Sequence, residues 1–132
     1  MSDVAYIDAS AFIKLFAFEP ESKAVETAID EEWPNLVASE ILAVEAFRAA
    51  LRIGGEAPAQ VTRLLRRVIL LPLSPGKREA AYRVGPPELR ALDAIHLATA
   101  LSQEARASAI FTYDTRLAQA SADAGLPVLA PG

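Results

Sequence analysis

The sequence predicts an α/β domain built around an open, mostly parallel sheet. Short apolar runs alternate with segments of helical periodicity, and two of those runs, 4–7 and 109–113, are followed at once by an acid. Parallel neighbours need crossover connections, which the intervening helical segments supply. With 132 residues the chain has the length of one domain. We therefore expect a single domain over residues 1–132, with helices on both faces of a four- to five-stranded sheet.

The first predicted strand is Val4–Ile7, a short apolar run that ends at Asp8. A buried strand that ends in an acid places its carboxylate at the carboxyl edge of the sheet, where α/β proteins bind ligands. A short helix is predicted over 10–18 from the spacing of its apolar residues, and the segment 19–22, which contains a proline, interrupts it. The chain therefore opens as strand, acid and helix.

The second helix is predicted to start at Ser22, because serine is a favourable N-cap. Val25 and Ile29 lie four residues apart on its apolar face, and it ends near residue 33. A brief strand follows over 35–38, after which Ser39 is predicted to cap a longer helix.

The middle of the chain contains two helices and one strand. The helix that Ser39 begins runs to about residue 53 and stops at Gly54-Gly55, and Ala57-Pro58 opens the next helix. The apolar run 68–73 is predicted as the third strand. The remaining elements are predicted as helices over 75–84, 92–105 and 114–124, a fourth strand over 109–113 and a short last strand over 126–129.

The bulk composition excludes several classes of function. The formal net charge of -4 argues against a protein that holds nucleic acid by global electrostatics, but it does not exclude a nuclease with local arginines. Without cysteine and with one histidine, His96, any metal site must use oxygen ligands. No apolar run reaches the ~18–20 residues of a membrane span. Because Met1-Ser2-Asp3 does not resemble a secretory signal, we expect a cytoplasmic protein without a membrane partner.

Four acids are candidates for chemistry, and each also has an ordinary structural explanation. Asp8 and Asp114 stand between a strand and a helix, where aspartate is a good N-cap. Asp93 opens a helix, where the helix dipole favours an acid. Glu45 lies at the edge of an apolar helix face and can pair with Arg48 at i,i+3.

The combination of acids is more informative than any one of them. Asp8 and Asp114 follow strands and Asp93 begins a helix, so the three can converge on one edge of the sheet. Two carboxylates ~5 Å apart repel by about 3 kcal/mol at an effective dielectric near 20. Such a cluster needs a cation or an extra proton, and oxygen ligands favour Mg²⁺ or Mn²⁺. His96 is either a satisfied, partly buried histidine or a base.

These residues stand in patterns that resemble the PIN-domain family, and within it the VapC-type toxins of bacterial toxin–antitoxin pairs. The resemblance spans essentially the whole chain, and its most specific part is the block Leu92 to Ala98 together with Thr112-x-Asp114. The other segments that carry it are Tyr6-Ile7-Asp8-Ala9-Ser10-Ala11, Ser39 with Glu45-Ala46-Phe47-Arg48, Leu89-Arg90-Ala91, Phe111 to Leu117 and 124–129.

The resemblance implies a PIN-like three-layer α/β/α fold and a site. By it, the acids that hold Mg²⁺ or Mn²⁺ and form the catalytic set are Asp8, Glu45, Asp93 and Asp114. Ser10 and Thr112 match the supporting hydroxyl positions, and Arg116 matches a nearby basic position. Glu40 competes with Glu45, although the pattern Glu45-x-x-Arg48 favours Glu45.

The resemblance also implies an activity and partners. The chain is expected to be the toxin of a VapBC-type pair, a metal-dependent endoribonuclease that leaves a 5′-phosphate and a 3′-hydroxyl. A small antitoxin, an RNA substrate and a second copy of the chain are the expected partners. A nuclease of RNA maturation and a non-catalytic PIN scaffold remain as alternatives.

Two sets of residues are candidates for binding these partners. Apolar surface for a homodimer could come from Phe12, Phe16, Phe18 and 61–65, although core packing explains them equally well. The candidate RNA-contacting residues are Arg48, Arg52, Arg63, Arg66, Arg67, Lys77, Arg78 and Arg90.

Overall fold

The central sheet contains five parallel strands. A computed structural model describes residues 3–132, so Met1 and Ser2 of the predicted domain lie outside the described residues. The strands are β1 Val4–Ile7, β2 Asn35–Ser39, β3 Val68–Leu71, β4 Ala107–Phe111 and β5 Val128–Leu129. Their order is β3-β2-β1-β4-β5, and each neighbouring pair is parallel. The predicted fold class is confirmed.

Seven helices connect these strands within residues 3–132. They are α1 Ala9–Ile13, α2 Ser22–Glu31, α3 Ile41–Ile53, α4 Ala57–Leu65, α5 Pro75–Ala81, α6 Ala91–Leu101 and α7 Thr115–Asp123. Right-handed crossovers place α1 to α4 on one face and α5 to α7 on the other. The helix contacts agree with this, since α3 packs on α1 and α4, and α6 packs on α5 and α7. None of these helices is both long and apolar enough to cross a membrane.

The ends of several elements differ from the prediction. Four elements, β3, α5, α6 and β5, are shorter than the predicted 68–73, 75–84, 92–105 and 126–129, while α1 is also shorter and β4 is shifted as follows. A first helix is predicted over 10–18, but α1 ends at Ile13 and hydrogen-bonded turns follow. The fourth strand is predicted to reach residue 113, but β4 ends at Phe111. Thr112 there turns its hydroxyl toward Asp8, so the strand ends before Asp114 rather than next to it.

Two predicted serine caps also differ from the structure. The Ser22 hydroxyl accepts a hydrogen bond from the Glu19 amide and donates to the Ala17 carbonyl, so it ties the preceding turn. Ser39 is the last residue of β2, and its hydroxyl accepts from the Ile41 amide at 3.3 Å while Glu40 occupies the cap position of α3. Both serines satisfy backbone groups at a helix start without being the cap residue.

Most of the apolar residues proposed for a dimer surface belong to the core. Phe12, Phe16 and Val61 are buried, and they join β1 and β4 in one hydrophobic cluster. Phe18 differs, because it is 98% exposed. Core packing therefore explains why these side chains are apolar, except for Phe18.

Candidate active site

The candidate site lies at the carboxyl edge of the sheet, where the chain changes direction. From β1 the chain moves outward to β2 and β3, whereas from β4 it moves the other way to β5. The boundary between β1 and β4 is therefore the topological switch point, the place where open α/β sheets bind ligands. Asp8 follows β1, and Thr112 and Asp114 follow β4, so these side chains flank that boundary.

Asp8 is buried and almost saturated with hydrogen bonds. Its side chain is the N-cap of α1, accepting the Ala11 amide at 2.9 Å. The Ser10 hydroxyl lies 2.7 and 2.9 Å from its two oxygens, and the Thr112 hydroxyl donates to Oδ2 at 2.6 Å. Burial raises the pKa of the Asp8 carboxyl, although the bonds from Thr112 and Ala11 act to lower that pKa. Capping and membership of the acidic site are thus compatible in this residue.

Ser10 and Thr112 also hold the two loops together. The Tyr113 amide donates to the Ser10 hydroxyl at 2.8 Å, and the Asp114 amide donates to the Thr112 hydroxyl at 3.1 Å. The loop after β4 is thereby fixed to the loop after β1. The two predicted supporting hydroxyls lie where they are expected, beside Asp8.

Asp114 is the N-cap of α7. Its Oδ1 accepts the Leu117 amide at 2.9 Å, and its side chain is half-buried. A carboxylate at this position also gains from the helix dipole, by about 0.3–1 kcal/mol. The cap engages one oxygen, which leaves Oδ2 of Asp114 available to a ligand.

Asp93 lies in the first turn of α6, as predicted. Partial burial raises the pKa of its carboxyl, and the negative charge of Asp114 raises that pKa further. Asp8 and Glu45 act in the same direction. The charges of the other three acids therefore act on Asp93, and it is to this extent that the structure groups the four predicted residues.

Glu45, on α3, pairs with a residue that the sequence does not indicate. Its Oε1 lies 2.7 Å from His96 Nε2, and it makes no ion pair with Arg48 within residues 3–132. The competing acid, Glu40, accepts the Leu73 amide at 2.5 Å and so holds the loop after β3. Glu45, rather than Glu40, is thus the acid bonded to α6, the helix that carries Asp93.

His96 is fully engaged inside the protein. It is 1% exposed, and its Nδ1 lies 2.6 Å from the Tyr6 hydroxyl. Tyr6 Oη also accepts the Ser39 amide at 2.9 Å, and burial raises the pKa of the Tyr6 phenol far above its usual range. Sequence reasoning missed Tyr6, because a tyrosine in a buried strand has no local pattern that distinguishes it from a core residue.

The basic residues occupy different environments. Arg116 is exposed in the first turn of α7, two residues after Asp114. Lys77 is a predicted RNA contact, but its side chain is only 7% exposed and its ammonium binds Glu104 and the Pro72 carbonyl. That prediction is wrong, because the apolar stem of this lysine packs inside the protein. Arg67 is partly exposed and pairs with Asp30 at 2.8 Å.

The donor set fits a hard divalent cation. It consists of four carboxylates and two hydroxyls, and it contains at least two groups whose pKa is raised by burial or by like charge. Within residues 3–132 no three of these side chains are already gathered around one point as metal ligands. Mg²⁺ does not need such a cage, because it usually keeps several waters and takes one or two carboxylates from the protein.

The acids do not line the large surface depression between α2 and β5. That depression, of about 760 Å³, is bordered mainly by apolar side chains, among them Trp33 and Val128. The charged groups meet instead at the sheet edge. We place the candidate site by its chemistry and topology rather than by cavity size.

Known proteins resemble this chain along nearly its whole length. The family model described as PIN domain matches residues 5–123. Ribonuclease VapC46 of Mycobacterium tuberculosis is 37% identical over 126 residues, which cover 96% of this chain and 96% of that protein. Ribonucleases VapC35 and VapC47 of the same organism are 35% and 34% identical, again with 96% of both chains covered.

Two solved structures share the fold. Mycobacterium tuberculosis VapC20, described as a Sarcin-Ricin loop cleaving toxin, has a TM-score of 0.72 and 17% identity over 88% of this chain and 94% of that chain. A chain of a toxin–antitoxin complex from Klebsiella pneumoniae has a TM-score of 0.70 and 24% identity, covering 97% of this chain and 98% of that chain. At these identities the likeness extends to the fold alone.

Proposed function

The chain belongs to the PIN-domain family, and from that membership we propose that it is a VapC-type toxin, an endoribonuclease that hydrolyses RNA phosphodiester bonds. Relatives named as ribonucleases are 34–37% identical over almost the full length, which supports this activity. The observation that carries the proposal is that hydrogen bonds join Asp8 and Asp114 through Thr112 at the switch point, while Glu45 is bonded to His96, one turn after Asp93 on α6.

We propose that these four acids hold Mg²⁺ or Mn²⁺. When bound, the metal supplies Lewis-acid stabilisation of phosphate oxygens and lowers the pKa of a water molecule. Asp8 is held rigidly for this role, because Ser10 and Thr112 fix both of its oxygens. Asp93 and Asp114 retain oxygens that the fold does not use.

The positive side chains near the acids would bind the phosphates of the RNA. Arg116 is exposed close to Asp114, so its guanidinium can attract an RNA phosphate toward the acidic cluster. The partly exposed or exposed candidates that remain are Arg48, Arg52, Arg63, Arg66, Arg67, Arg78 and Arg90. A steep fall of RNA affinity with rising salt is the expected sign of phosphate contacts.

The proposal includes an antitoxin as the partner that silences the enzyme. The solved Klebsiella pneumoniae neighbour is a toxin–antitoxin complex, and the acidic cluster suits a basic segment of a partner. Such a segment would inhibit by occupying the site in place of the cation. If the complex binds metal and RNA as well as the free chain does, this mode of inhibition is wrong.

The first prediction tests the activity itself. Purified chain, stripped of metal, is expected to cleave RNA only after Mg²⁺ or Mn²⁺ is added, and to leave 5′-phosphate ends. Asp8→Asn is expected to lower the rate at least about 100-fold, because a ligand of the cation is weakened. The measurement is cleavage of end-labelled RNA together with thermal unfolding of each variant.

Asp123→Asn is the matched control for that experiment. Asp123 is an exposed acid at the far end of α7, so its replacement removes one charge without touching the site. It should leave the rate near that of the wild type. Full metal-dependent cleavage by a folded Asp8→Asn protein would contradict the proposal, and no cleavage by the wild type would favour a non-catalytic scaffold.

A further inference from the structure

A chain of buried hydrogen bonds leads from the centre of the sheet to Glu45. The Ser39 amide donates to Tyr6 Oη at 2.9 Å, Tyr6 Oη lies 2.6 Å from His96 Nδ1, and His96 Nε2 lies 2.7 Å from Glu45 Oε1. The Tyr6 and His96 rings also meet edge to face, with centroids 5.7 Å apart and planes at 76°. The three side chains thus form one continuous connection.

The hydrogen-bond partners constrain where each proton lies in this series of bonds. The Ser39 amide can only donate, so Tyr6 Oη accepts there, and with a neutral His96 ring the phenol can give its own proton to Nδ1. With Nδ1 as the acceptor, the ring proton lies on Nε2, where the Glu45 carboxylate accepts it. In a neutral ring this arrangement gives His96 one tautomer, with its N–H directed at Glu45.

Glu45 needs such a restraint more than two of the other acids do. Asp8 and Asp114 are fixed by backbone amides as helix caps, whereas Glu45 lies inside α3 and has a longer, more flexible side chain. The bond from His96 holds Oε1, and no hydrogen bond within residues 3–132 engages Oε2. The Glu45 side chain is 21% exposed, so it is not closed off from solvent.

We propose that His96, locked by Tyr6, is a positioning residue that holds Glu45 with one oxygen bound and the other presented to the divalent cation. The inference rests on the proposed function, because it concerns the same acidic site. Outer-shell partners of this kind orient a ligand before the metal arrives. The connection ties that orientation to β1, the central strand, and to the amide of Ser39 at the end of β2.

The tautomer is tested first, in metal-free protein. Because His96 is the one histidine of the chain, its ring nitrogens give unambiguous signals once any affinity tag is removed. Long-range ¹H–¹⁵N spectra at mildly alkaline pH are expected to show the proton on Nε2. In Tyr6→Phe the proton is expected to occupy Nδ1 as well as Nε2. A proton found on Nδ1 in the wild type would overturn the proposal.

The effect on Glu45 is tested by coupling variants at the two positions. His96→Leu is expected to weaken Mn²⁺ binding and to lower kcat/KM by about 10–100-fold. His96→Gln keeps an N–H near the position of Nε2, so it should recover part of the Mn²⁺ affinity and part of kcat/KM. In a Glu45→Gln background, His96→Leu should cause no further loss, whereas fully additive losses would mean that His96 does not act through Glu45.

A core variant separates the positioning of Glu45 from a general loss of stability. Ile29→Ala creates a cavity in the core at α2, away from the acids, and reports what lost stability alone does to activity. If Ile29→Ala and His96→Leu lose equal activity at equal folded fraction, the role of His96 is structural. Absence of RNA cleavage by the wild type would contradict the proposed function but would leave the tautomer and Mn²⁺ measurements interpretable.

Discussion

Asp93 is the acid of the site whose charge is least compensated by the protein. Asp8, Asp114 and Glu45 each have a hydrogen-bond donor, whereas none of the hydrogen bonds within residues 3–132 engages the Asp93 carboxylate. Burial and the charge of Asp114 raise the pKa of Asp93. Ionised Asp93 therefore opposes folding in metal-free protein, and binding a cation would remove that opposition.

The stability of the metal-free protein should depend on pH through this residue. A carboxyl group whose pKa is higher in the folded state than its ordinary value of 3.8 stabilises the fold below that ordinary value, and the contribution is lost as pH rises through the folded-state pKa. Asp93→Asn removes the titration. We expect the stability of Asp93→Asn relative to wild type to grow as pH rises from about 4 through the folded-state pKa of Asp93.

Thermal or urea unfolding in the presence of a chelator measures this difference. Asp123→Asn, at an exposed site, is the control and should show no comparable growth with pH. Excess Mn²⁺ should make wild type more stable than Asp93→Asn, because a cation at 100 times its Kd stabilises wild type by about 2.7 kcal/mol. A difference between Asp93→Asn and wild type that stays constant with pH would show that the Asp93 charge does not oppose folding.

Single residues also mark the limit of prediction from the sequence. The positions of Asp8, Asp93 and Asp114 followed from local patterns, a strand end or a helix start. The partner of Glu45 did not, because Arg48 lies close in sequence while His96 is 51 residues away. Only the tertiary fold, which brings the Glu45 side chain on α3 to His96 on α6, decides between them.

In helix α7 one residue both stabilises the helix and belongs to the candidate site. Its N-cap, Asp114, satisfies the Leu117 amide and faces the acidic cluster. Asparagine caps a helix about as well as aspartate does, whereas alanine does not. The two functions of Asp114 can therefore be separated by two substitutions at one position.

We expect Asp114→Asn to retain stability and lose most cleavage. Asp114→Ala should lose cleavage as well and, in addition, about 1 kcal/mol of unfolding free energy from the missing cap. Chemical denaturation and RNA cleavage of both variants provide the measurement. Equal stability of the two variants would mean that the cap contributes little here, and full cleavage by Asp114→Asn would remove Asp114 from the metal site.

At the level of elements, periodicity predicted the existence and order of the helices and strands, but not all of their ends. The end of β4 at Phe111 depends on a side chain that turns toward a partner far along the chain. Thr112 leaves the strand to donate to Asp8, 104 residues away. Such an end has no local signal, because its cause is a tertiary hydrogen bond.

At the scale of the whole molecule, exposed apolar side chains are grouped around one shallow depression. Phe18 is 98% exposed and Ile53 is 50% exposed, and both border one shallow depression together with Phe16 and Ala57. Apolar residues grouped on a surface commonly mark an interface. We propose that this surface contributes to the homodimer that family membership suggests.

Sedimentation velocity over a range of concentrations tests the dimer. Wild type is expected to dimerise, and Phe18→Ser is expected to shift the population toward monomer with little change in monomer stability, because its side chain has almost no contacts to lose. Tyr82→Ser, at a residue that is 69% exposed elsewhere, is the control. A monomeric wild type, or a Phe18→Ser protein as dimeric as wild type, would exclude this surface as the interface.

The sequence by itself determined the fold class, the order of elements and the acids of the candidate site, because apolar periodicity, strand-end acids and helix starts are local properties of the chain. The tertiary structure decided which groups meet. It bound Glu40 to the Leu73 amide, buried Lys77, and connected Tyr6 through His96 to Glu45. These outcomes depend on contacts between residues far apart in sequence, whose geometry exists only after the helices have packed on the sheet.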